Sequence, residues 1–220
     1  MQRAVADAQD ACADIRGLLR VGFTAAWSGE IVLQAGDLLS ARYPHCTVEL
    51  LDVSYNDTAI AALRAKHVDL LIAEPPVQEP DVVVGPVVFC EPRALVVPAR
   101  HPLAQRKTVT LEDLALLPLV TTAGISAAWS EELFPQRTPL GRHIARGPTA
   151  GGWQGVLSLV GAGKGATVRA GRYYVRPDIA YVPFEDADPI AYALMWRDEI
   201  RSAELRALVQ TVLDVAPTSA

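Results

Sequence analysis

The chain has 220 residues, of which 50% are hydrophobic and 20% charged, and its net charge is −5. This composition is typical of a folded globular protein and excludes an intrinsically disordered chain. The acidic balance argues against a nucleic-acid-binding surface within these residues, because such surfaces need clustered Lys and Arg. An aromatic content of 6% likewise argues against a platform for stacking bases.

Membrane insertion, export and cysteine chemistry are not predicted. The sequence has no apolar run of about 18 residues, the length that a membrane span needs. Three aspartates within the first 14 residues fall where a signal peptide would be apolar, which predicts a cytoplasmic protein. Cys12, Cys46 and Cys90 match neither a zinc spacing nor a disulfide framework. We expect buried free thiols, with a redox switch as the alternative, and no metal or cofactor.

The first half of the chain alternates between helical and extended patterns. All of residues 68–73 except Asp69 are apolar, which is typical of a strand buried on both faces. Because strands and helices alternate, we expect right-handed crossovers and a mainly parallel sheet. The predicted elements are a helix over 2–16, a strand over 18–23, a helix capped by Ser28 that ends before Pro44, a strand over 48–53, a short helix capped by Asp57, and a strand over 68–73.

The second half continues with shorter elements and more loop signals. Thr110 and Asp113 have the spacing of a capping box in front of the segment LEDLALL. The final helix has Leu205, Leu208 and Val212 on one face. The remaining predictions are strands over 94–97, 119–122, 143–146, 165–168, 179–183 and 192–196, and helices over 127–133 and 153–160.

Five short motifs follow one another along the chain, namely LRVGFT, RYPHCTVELLDV, LRAKHVDLLIAE, HPLAQRKTVTLEDLALLPLV and LVGAGKG. Their order and spacing over roughly residues 4–215 resemble the effector-binding domain of LysR-type bacterial transcriptional regulators. The pair formed by HPLA and TLEDLALLPLV is the most specific part. The resemblance implies that residues 1–17 are the end of a linker helix. It also implies that DNA is bound only through an N-terminal winged helix-turn-helix that these residues lack.

The same resemblance implies an α/β fold of the two-lobed, periplasmic-binding-protein-like (type II) class. Each lobe would be a mainly parallel sheet flanked by helices, and two crossover strands would join the lobes. Lobe I would comprise residues 18–91 and 191–215, lobe II residues 92–190, and the C-terminal tail residues 216–220. A small-molecule effector would bind in the cleft between the lobes, and lobe rotation would rearrange a homodimer or homotetramer.

Effector contacts implied by this layout lie where strands end and helices begin. Helix N-termini there would suit a carboxylate or a similar anion. In lobe I, Thr24 and Ser28 would hydrogen-bond the effector, Trp27 would form an apolar wall, and Asn56 would lie in the next loop. Helix capping is the alternative role for Ser28 and Asn56. In lobe II the candidates are Thr121, Thr122, Pro148 and Thr149, with turn chemistry as the alternative for the threonines.

Three charged residues depart from the usual pattern of the family. Glu74 follows the buried strand, where a carboxylate would repel an anionic effector and favour an amine or a hydroxyl; an ordinary loop carboxylate is the alternative. Lys164 and Arg169 interrupt a segment that is usually apolar. Because burying an unpaired cation costs several kcal/mol, each is expected to be exposed, paired or in contact with ligand. Lys164 is therefore an additional candidate for effector binding.

Other functions are less well supported by the sequence. A solute-binding protein of a transporter would share the two lobes. An enzyme on the same scaffold would need catalytic motifs, but the chain has no G-x-S-x-G elbow, phosphate loop or HExxH helix. The four histidines are far apart in sequence, and His101 is expected to anchor a turn. We therefore expect a protein that is not an enzyme.

Overall fold

A computed structural model describes residues 15–53, 57–75, 79–124, 127–170, 176–198 and 202–217. Most of the predicted first helix, as well as Asn56, lies outside these ranges. The elements, in chain order, are β1 (Gly17–Phe23), α1 (Ala26–Arg42), β2 (Cys46–Asp52), α2 (Asp57–Arg64), β3 (Leu70–Ala73), β4 (Val82–Glu91), β5 (Arg93–Pro98), 3-10 helices at Pro102–Gln105 and Leu111–Leu116, β6 (Leu119–Thr122), α3 (Ala127–Leu133), β7 (Arg146–Ala150), α4 (Trp153–Gly161), β8 (Thr167–Ala170), β9 (Ile179–Pro183), β10 (Ile190–Arg197) and α5 (Ala203–Val215).

The chain divides into two compact units. Unit 1 comprises Met1–Ser54, Thr58–Phe89 and Ala191–Ala220, and unit 2 comprises Tyr55–Asp57 and Cys90–Ile190. Each unit is therefore built from separate stretches of the sequence. None of the helices in the described ranges is long and apolar enough to cross a membrane.

Unit 1 is organised around a five-stranded sheet in the order β2-β1-β3-β10-β4. β1 pairs in parallel with β2 and β3, and β10 runs antiparallel to β3. All four residues of β3 are buried, as its apolar sequence predicted. On one face of the sheet, Leu63 of α2 packs with Val68, Leu71 and Met195. This core holds the carboxyl ends of β1 and β3 in register.

Arg197, at the end of β10, has a buried side chain that hydrogen-bonds the backbone of unit 1 at Leu63 and at Val68. Its side chain is 9% exposed. One guanidinium nitrogen donates to the carbonyl oxygen of Leu63 and, at 2.9 Å, to that of Val68. A buried guanidinium is tolerated only when it is hydrogen-bonded. Here it satisfies one carbonyl in the last turn of α2 and one just before β3.

Gly85 in β4 lies directly over the indole ring of Trp196. An ideal Cβ at position 85 would overlap the ring carbons of that tryptophan. The strand β4 has no counterpart among the predicted strands, because Gly85 and Pro86 interrupt its apolar pattern. Glycine at this position permits the close approach of the indole ring, and close approach is a common reason for glycine inside a strand.

Unit 2 contains two smaller sheets. β5 lies between β8 and β9 and is antiparallel to both, whereas β6 and β7 pair in parallel. The mainly parallel arrangement expected for both lobes is therefore wrong for the three-stranded sheet. β5 is followed directly by two 3-10 helices and not by an α-helix, so it does not begin the strand–helix–strand unit that makes neighbouring strands parallel.

Two predicted strands in unit 2 are displaced along the chain. The strand predicted at 143–146 lies at Arg146–Ala150, and the one predicted at 165–168 lies at Thr167–Ala170. Gly147 and Pro148 lie inside β7. In the structure, a Cβ on Gly147 would come within 3.2 Å of the Leu119 carbonyl, so glycine permits the close approach of β6. Gly165 has φ +148°, a left-handed backbone that delays the start of β8.

Two local predictions are confirmed at the start of unit 2. The backbone N–H of Thr110 donates to Asp113 Oδ2 at 2.9 Å, as a capping box requires, although the helix is of the 3-10 type. His101 Nδ1 accepts a hydrogen bond from the N–H of Leu103 at 3.2 Å. His101 therefore anchors a turn, as expected.

Candidate functional site

Two of the predicted effector contacts in unit 1 are hydrogen-bonded to each other. Thr24 follows β1 and Glu74 follows β3, and these parallel strands pair Phe23 with Ile72. Their carboxyl ends therefore lie at one edge of the sheet. Thr24 Oγ1 donates to Glu74 Oε2 at 3.0 Å. We call Thr24, Ser28 and Glu74 the unit 1 cluster.

The helix that follows Thr24 begins without a capping side chain. Its N-cap residue is Ala25, with extended φ −119° and ψ 139°, and no side chain accepts a hydrogen bond from the first turn. No acidic residue lies in that turn. The helix therefore begins with backbone N–H groups that no side chain caps and with the positive end of its dipole. Both favour a negatively charged group near this end of the helix.

Ser28 does not cap the helix, so the expected alternative role is wrong. It is the third residue of α1, because the chain turns immediately after β1 and the helix begins earlier than predicted. Its side chain is fully buried, and its Oγ has no hydrogen-bond partner within the described ranges. A buried hydroxyl without a hydrogen-bond partner is rare in folded proteins and needs an explanation.

Glu74 is buried to the same degree as the apolar core. The residue as a whole is 2% exposed. The alternative of an ordinary loop carboxylate is therefore wrong, since loop carboxylates are solvated. Trp27, the predicted apolar wall, is half-buried in the first turn of α1.

A second group of hydroxyls lies in unit 2. Thr121 on β6 is paired with Thr149 on β7, and their Oγ1 atoms are 3.0 Å apart. Thr121 is half-buried and Thr149 is exposed. The strands are parallel, so this pair lies near the edge where α4 begins. The N-cap of α4, Gly152, also provides no side-chain cap.

The other two candidates in the same part of unit 2 have different surroundings. The hydroxyl of Thr122 donates to the carbonyl of Ala123 at 3.3 Å and lies 3.5 Å from that of Ala150. Turn chemistry therefore accounts for Thr122. Pro148 is exposed and precedes Thr149 on β7, so successive side chains place it on the opposite face.

The two unusual cations of unit 2 are in separate environments. Lys164 is exposed and follows the C-terminal end of α4. A helix of nine residues is about 13 Å long, so Lys164 is not brought together with Thr149, which precedes the helix. The guanidinium of Arg169 lies 4.0 Å from the ring centre of Trp153. Arg169 is therefore paired through a cation–π contact, one of the three expected outcomes.

A charged cavity of about 450 Å³ lies elsewhere in unit 1 and is lined by Arg64, Pro80, Asp81, Arg197 and Asp198. Arg64 donates to both carboxylate oxygens of Asp81, at 2.7 Å each, and also to Glu79. These hydrogen bonds raise the pKa of Arg64 and lower the pKa of Asp81. Of the charges that line the cavity, Arg64 and Asp81 are therefore paired with each other.

The described cysteines are free thiols. Cys46 is buried, whereas Cys90 is exposed, so the expectation of burial holds for only one of them. Burial raises the pKa of the Cys46 thiol, and the negative charge of Glu204 raises it further. A raised pKa lowers the thiolate fraction, which makes Cys46 less reactive. Within the described ranges no group of three or more His, Cys, Asp or Glu side chains could hold a metal ion.

Solved structures resemble the chain along nearly its whole length. The effector-binding domain of QuiR in complex with shikimate has a TM-score of 0.74 at 17% identity, covering 91% of this chain and 97% of that one. The BenM effector-binding domain with benzoate has a TM-score of 0.67 at 19% identity, covering 90% and 91%. The two-lobed, periplasmic-binding-protein-like α/β fold is confirmed.

Two curated relatives are transcriptional regulators of Bacillus subtilis. The HTH-type regulator AlsR is 27% identical over 157 residues, which are 69% of this chain and 50% of AlsR. The dual regulator GltC is 31% identical over 99 residues, which are 45% of this chain and 33% of GltC. These matches span half or less of the relatives' length.

The family model described as the LysR substrate binding domain matches residues 13–217. The match covers both units and every element given above. The chain therefore belongs to the LysR substrate-binding domain family.

Proposed function

We propose that this chain is the effector-sensing domain of a LysR-type transcriptional regulator and that the unit 1 cluster contacts the effector. The observation that carries the proposal is the fully buried Ser28 hydroxyl, which has no partner within the described ranges and lies in the first turn of the helix that follows the hydrogen-bonded Thr24. A ligand that hydrogen-bonds this hydroxyl would remove the desolvation penalty of leaving it alone. The family match supports the same role.

Unit 2 supplies a second set of groups for a ligand. Thr149 is exposed and Thr121 half-buried, and both lie near the uncapped start of α4. Hydroxyls and a helix N-terminus suit an anionic group such as a carboxylate. Benzoate and shikimate, which the related BenM and QuiR domains bind, are both carboxylates. The expectation that one effector contacts both lobes stays a prediction.

The regulator would act in the cytoplasm through a DNA-binding module and as a homodimer or homotetramer. A ligand changes the balance between two conformations only if it binds one more tightly. Lobe rotation and rearrangement of the oligomer are the proposed consequences here. Relatives named as transcriptional regulators favour this role over a transporter's solute-binding protein and over an enzyme.

A thermal-shift screen of aromatic acids, amino acids and sugar acids tests the proposal. A ligand at about 100 times its Kd adds about 2.7 kcal/mol to the free energy of unfolding. For a chain of this size, that corresponds to a rise in Tm of roughly 5–11 °C. We expect a hit whose shift is reduced in Thr24→Val.

Thr47→Val is the matched control, because Thr47 is exposed on β2 of the same sheet. Its response should equal that of the wild type. An effector that stabilises Thr24→Val as strongly as the wild type would count against the unit 1 cluster. A protein that stays monomeric at high concentration in sedimentation experiments would count against the proposed dimer.

A further inference from the structure

We propose that the stacked rings of Phe89 and Tyr192 form a hinge clamp, which holds two neighbouring strands together where the chain passes between the two units. The clamp confines the bending that lobe rotation requires to a few residues beyond the rings. This inference rests on the lobe rotation of the proposed function. It adds the position of the pivot and the residues that set its stiffness.

Both rings lie at the boundary between the units. The long segment of unit 2 begins at Cys90, directly after Phe89, and ends at Ile190, shortly before Tyr192. Phe89 and Tyr192 themselves belong to unit 1. Their strands, β4 and β10, are hydrogen-bonded neighbours in the five-stranded sheet. The two strands are therefore side by side where each is connected to unit 2.

The two rings form a close stack inside unit 1. Their centroids are 4.5 Å apart, and their planes differ by 14°. Phe89 is almost fully buried and Tyr192 is fully buried. Stacked aromatic rings attract each other beyond the effect of the area they bury, and a close-packed interior leaves buried rings little room to slide. The stack therefore fixes β4 to β10 at the end where both strands are connected to unit 2.

The first passage between the units is short, because the chain is anchored on both sides of it. The stack holds Phe89 in unit 1. Arg93 is held in unit 2, where it pairs with Ala170 on β8 and donates to the carboxylate of Glu132 at 3.0 Å. Only residues 90–92 lie between these anchors, and the last of them is a proline, whose φ is fixed. Bending at this passage is therefore limited to a few backbone torsions.

The second passage is built in a similar way. Asp186 is held in unit 2, where the backbone N–H of Leu111 donates to Asp186 Oδ1 at 2.9 Å. The stack holds Tyr192 in unit 1. The residues between these anchors are 187–191, and they include Pro189. Hinges consist of a few residues that absorb changes in φ and ψ between more rigid parts, so these two short segments together form the pivot.

The hinge clamp lies beside the strand that leads to Glu74. Ala193 on β10 is paired with Ala73 on β3, so the start of β10 is next to the end of β3. Tyr192 and Glu74 are the residues that follow this pair outward along the two strands. An effector bound at Glu74 would therefore lie next to the strand that carries one ring of the clamp.

Distances between two spin labels test the clamp without knowledge of the effector. We would replace the native cysteines with serine and place one label at Gln210 on α5 of unit 1 and one at Glu131 on α3 of unit 2, both of which are exposed. Electron–electron double resonance on labelled chains diluted with unlabelled chains then gives the spread of distances within one copy. We expect a single narrow distribution when the clamp is intact.

Removal of either ring should loosen the pivot. Phe89→Leu and Tyr192→Leu should each broaden the distance distribution at least about twofold, because the stacking that holds the strands together is lost. Tyr192→Phe keeps both rings and should retain the original width. Phe89→Met, which fills the space without a ring, serves as the test if Phe89→Leu does not fold.

Phe134→Leu is the matched control. Phe134 is fully buried in unit 2 and belongs to neither passage. The substitution should lower the free energy of unfolding, as loss of a buried ring does, but should leave the width of the distribution unchanged. A general loss of packing is thereby separated from a loss of the clamp.

An unchanged width in the variants that lack a ring, or equal broadening in Phe134→Leu, would overturn the inference. These outcomes differ from a failure of the proposed function. If only the inference fails, an effector found by thermal shift still stabilises the chain and still depends on Thr24. If the proposed function fails, no Thr24-dependent stabilisation is found, whereas the label distances are measured without an effector.

Discussion

Replacing Ser28 with alanine decides whether its hydroxyl stabilises the fold or serves a ligand. The hydroxyl is fully buried and has no partner within the described ranges. An unsatisfied buried polar group costs about 1–3 kcal/mol. Alanine keeps the Cβ and is a better helix former than serine. We therefore expect Ser28→Ala to raise the free energy of unfolding by about 1–2 kcal/mol.

A capping role predicts the opposite sign. Loss of an N-cap serine destabilises a protein by about 1 kcal/mol. The two interpretations thus differ by about 2–3 kcal/mol, which urea unfolding followed by circular dichroism resolves easily. In a thermal melt the expected gain corresponds to a rise in Tm of roughly 2–8 °C.

Ser40→Ala is the matched control on the same helix. The Ser40 hydroxyl donates a hydrogen bond to the carbonyl of Cys46 at 3.1 Å. The Ser28 hydroxyl, by contrast, has no hydrogen-bond partner within the described ranges. We expect Ser40→Ala to lower the free energy of unfolding by about 0.5–1.5 kcal/mol. Thr167→Val should stabilise like Ser28→Ala, since the Thr167 hydroxyl is also buried without a partner within the described ranges. A loss of stability in Ser28→Ala as large as in Ser40→Ala would refute the reasoning.

Three further changes have defined outcomes. Arg197→Met removes two buried carbonyl hydrogen bonds and should cost about 2–4 kcal/mol in urea unfolding, whereas a change within error would contradict the anchoring role. Gly165→Ala places a Cβ against a carbonyl oxygen at φ +148° and should cost about 2–3 kcal/mol, more than Gly124→Ala, whose Cβ would meet open space. The hydrogen bond from Arg64 lowers the pKa of Asp81. The contribution of the ionised Asp81 to the free energy of unfolding is therefore present above about pH 4 and is lost as the pH falls. The difference in urea midpoint between wild type and Asp81→Asn should therefore shrink in acid, and a constant difference would argue against the pairing.

The alternation of strands and helices could be predicted from the sequence because it depends on local patterns. The helices α3 and α4 and the strands β5, β6, β9 and β10 lie at or within a few residues of their predicted positions. β7 was misplaced since Gly147 and Pro148 normally break strands. Here the glycine admits the close approach of Leu119, and Pro148 occupies a strand with a single neighbour within the described ranges.

The candidate site was only partly predictable. Thr24, Ser28 and Glu74 could be chosen because each lies near the end of a strand or the start of a helix. The hydrogen bond between Thr24 and Glu74 joins residues 50 positions apart, and it depends on β1 and β3 being neighbours. The capping role of Ser28 failed because sequence rules locate helix starts only to within a few residues.

The contact between Gly85 and Trp196 has a consequence for the evolution of this family branch. No side chain fits at position 85 while the indole ring occupies its place. Homologues that keep the tryptophan should therefore keep the glycine, whatever signal they respond to. Invariance at this position would report on close packing alone. If Glu74 contacts the effector as proposed, it should instead differ between homologues that respond to different signals.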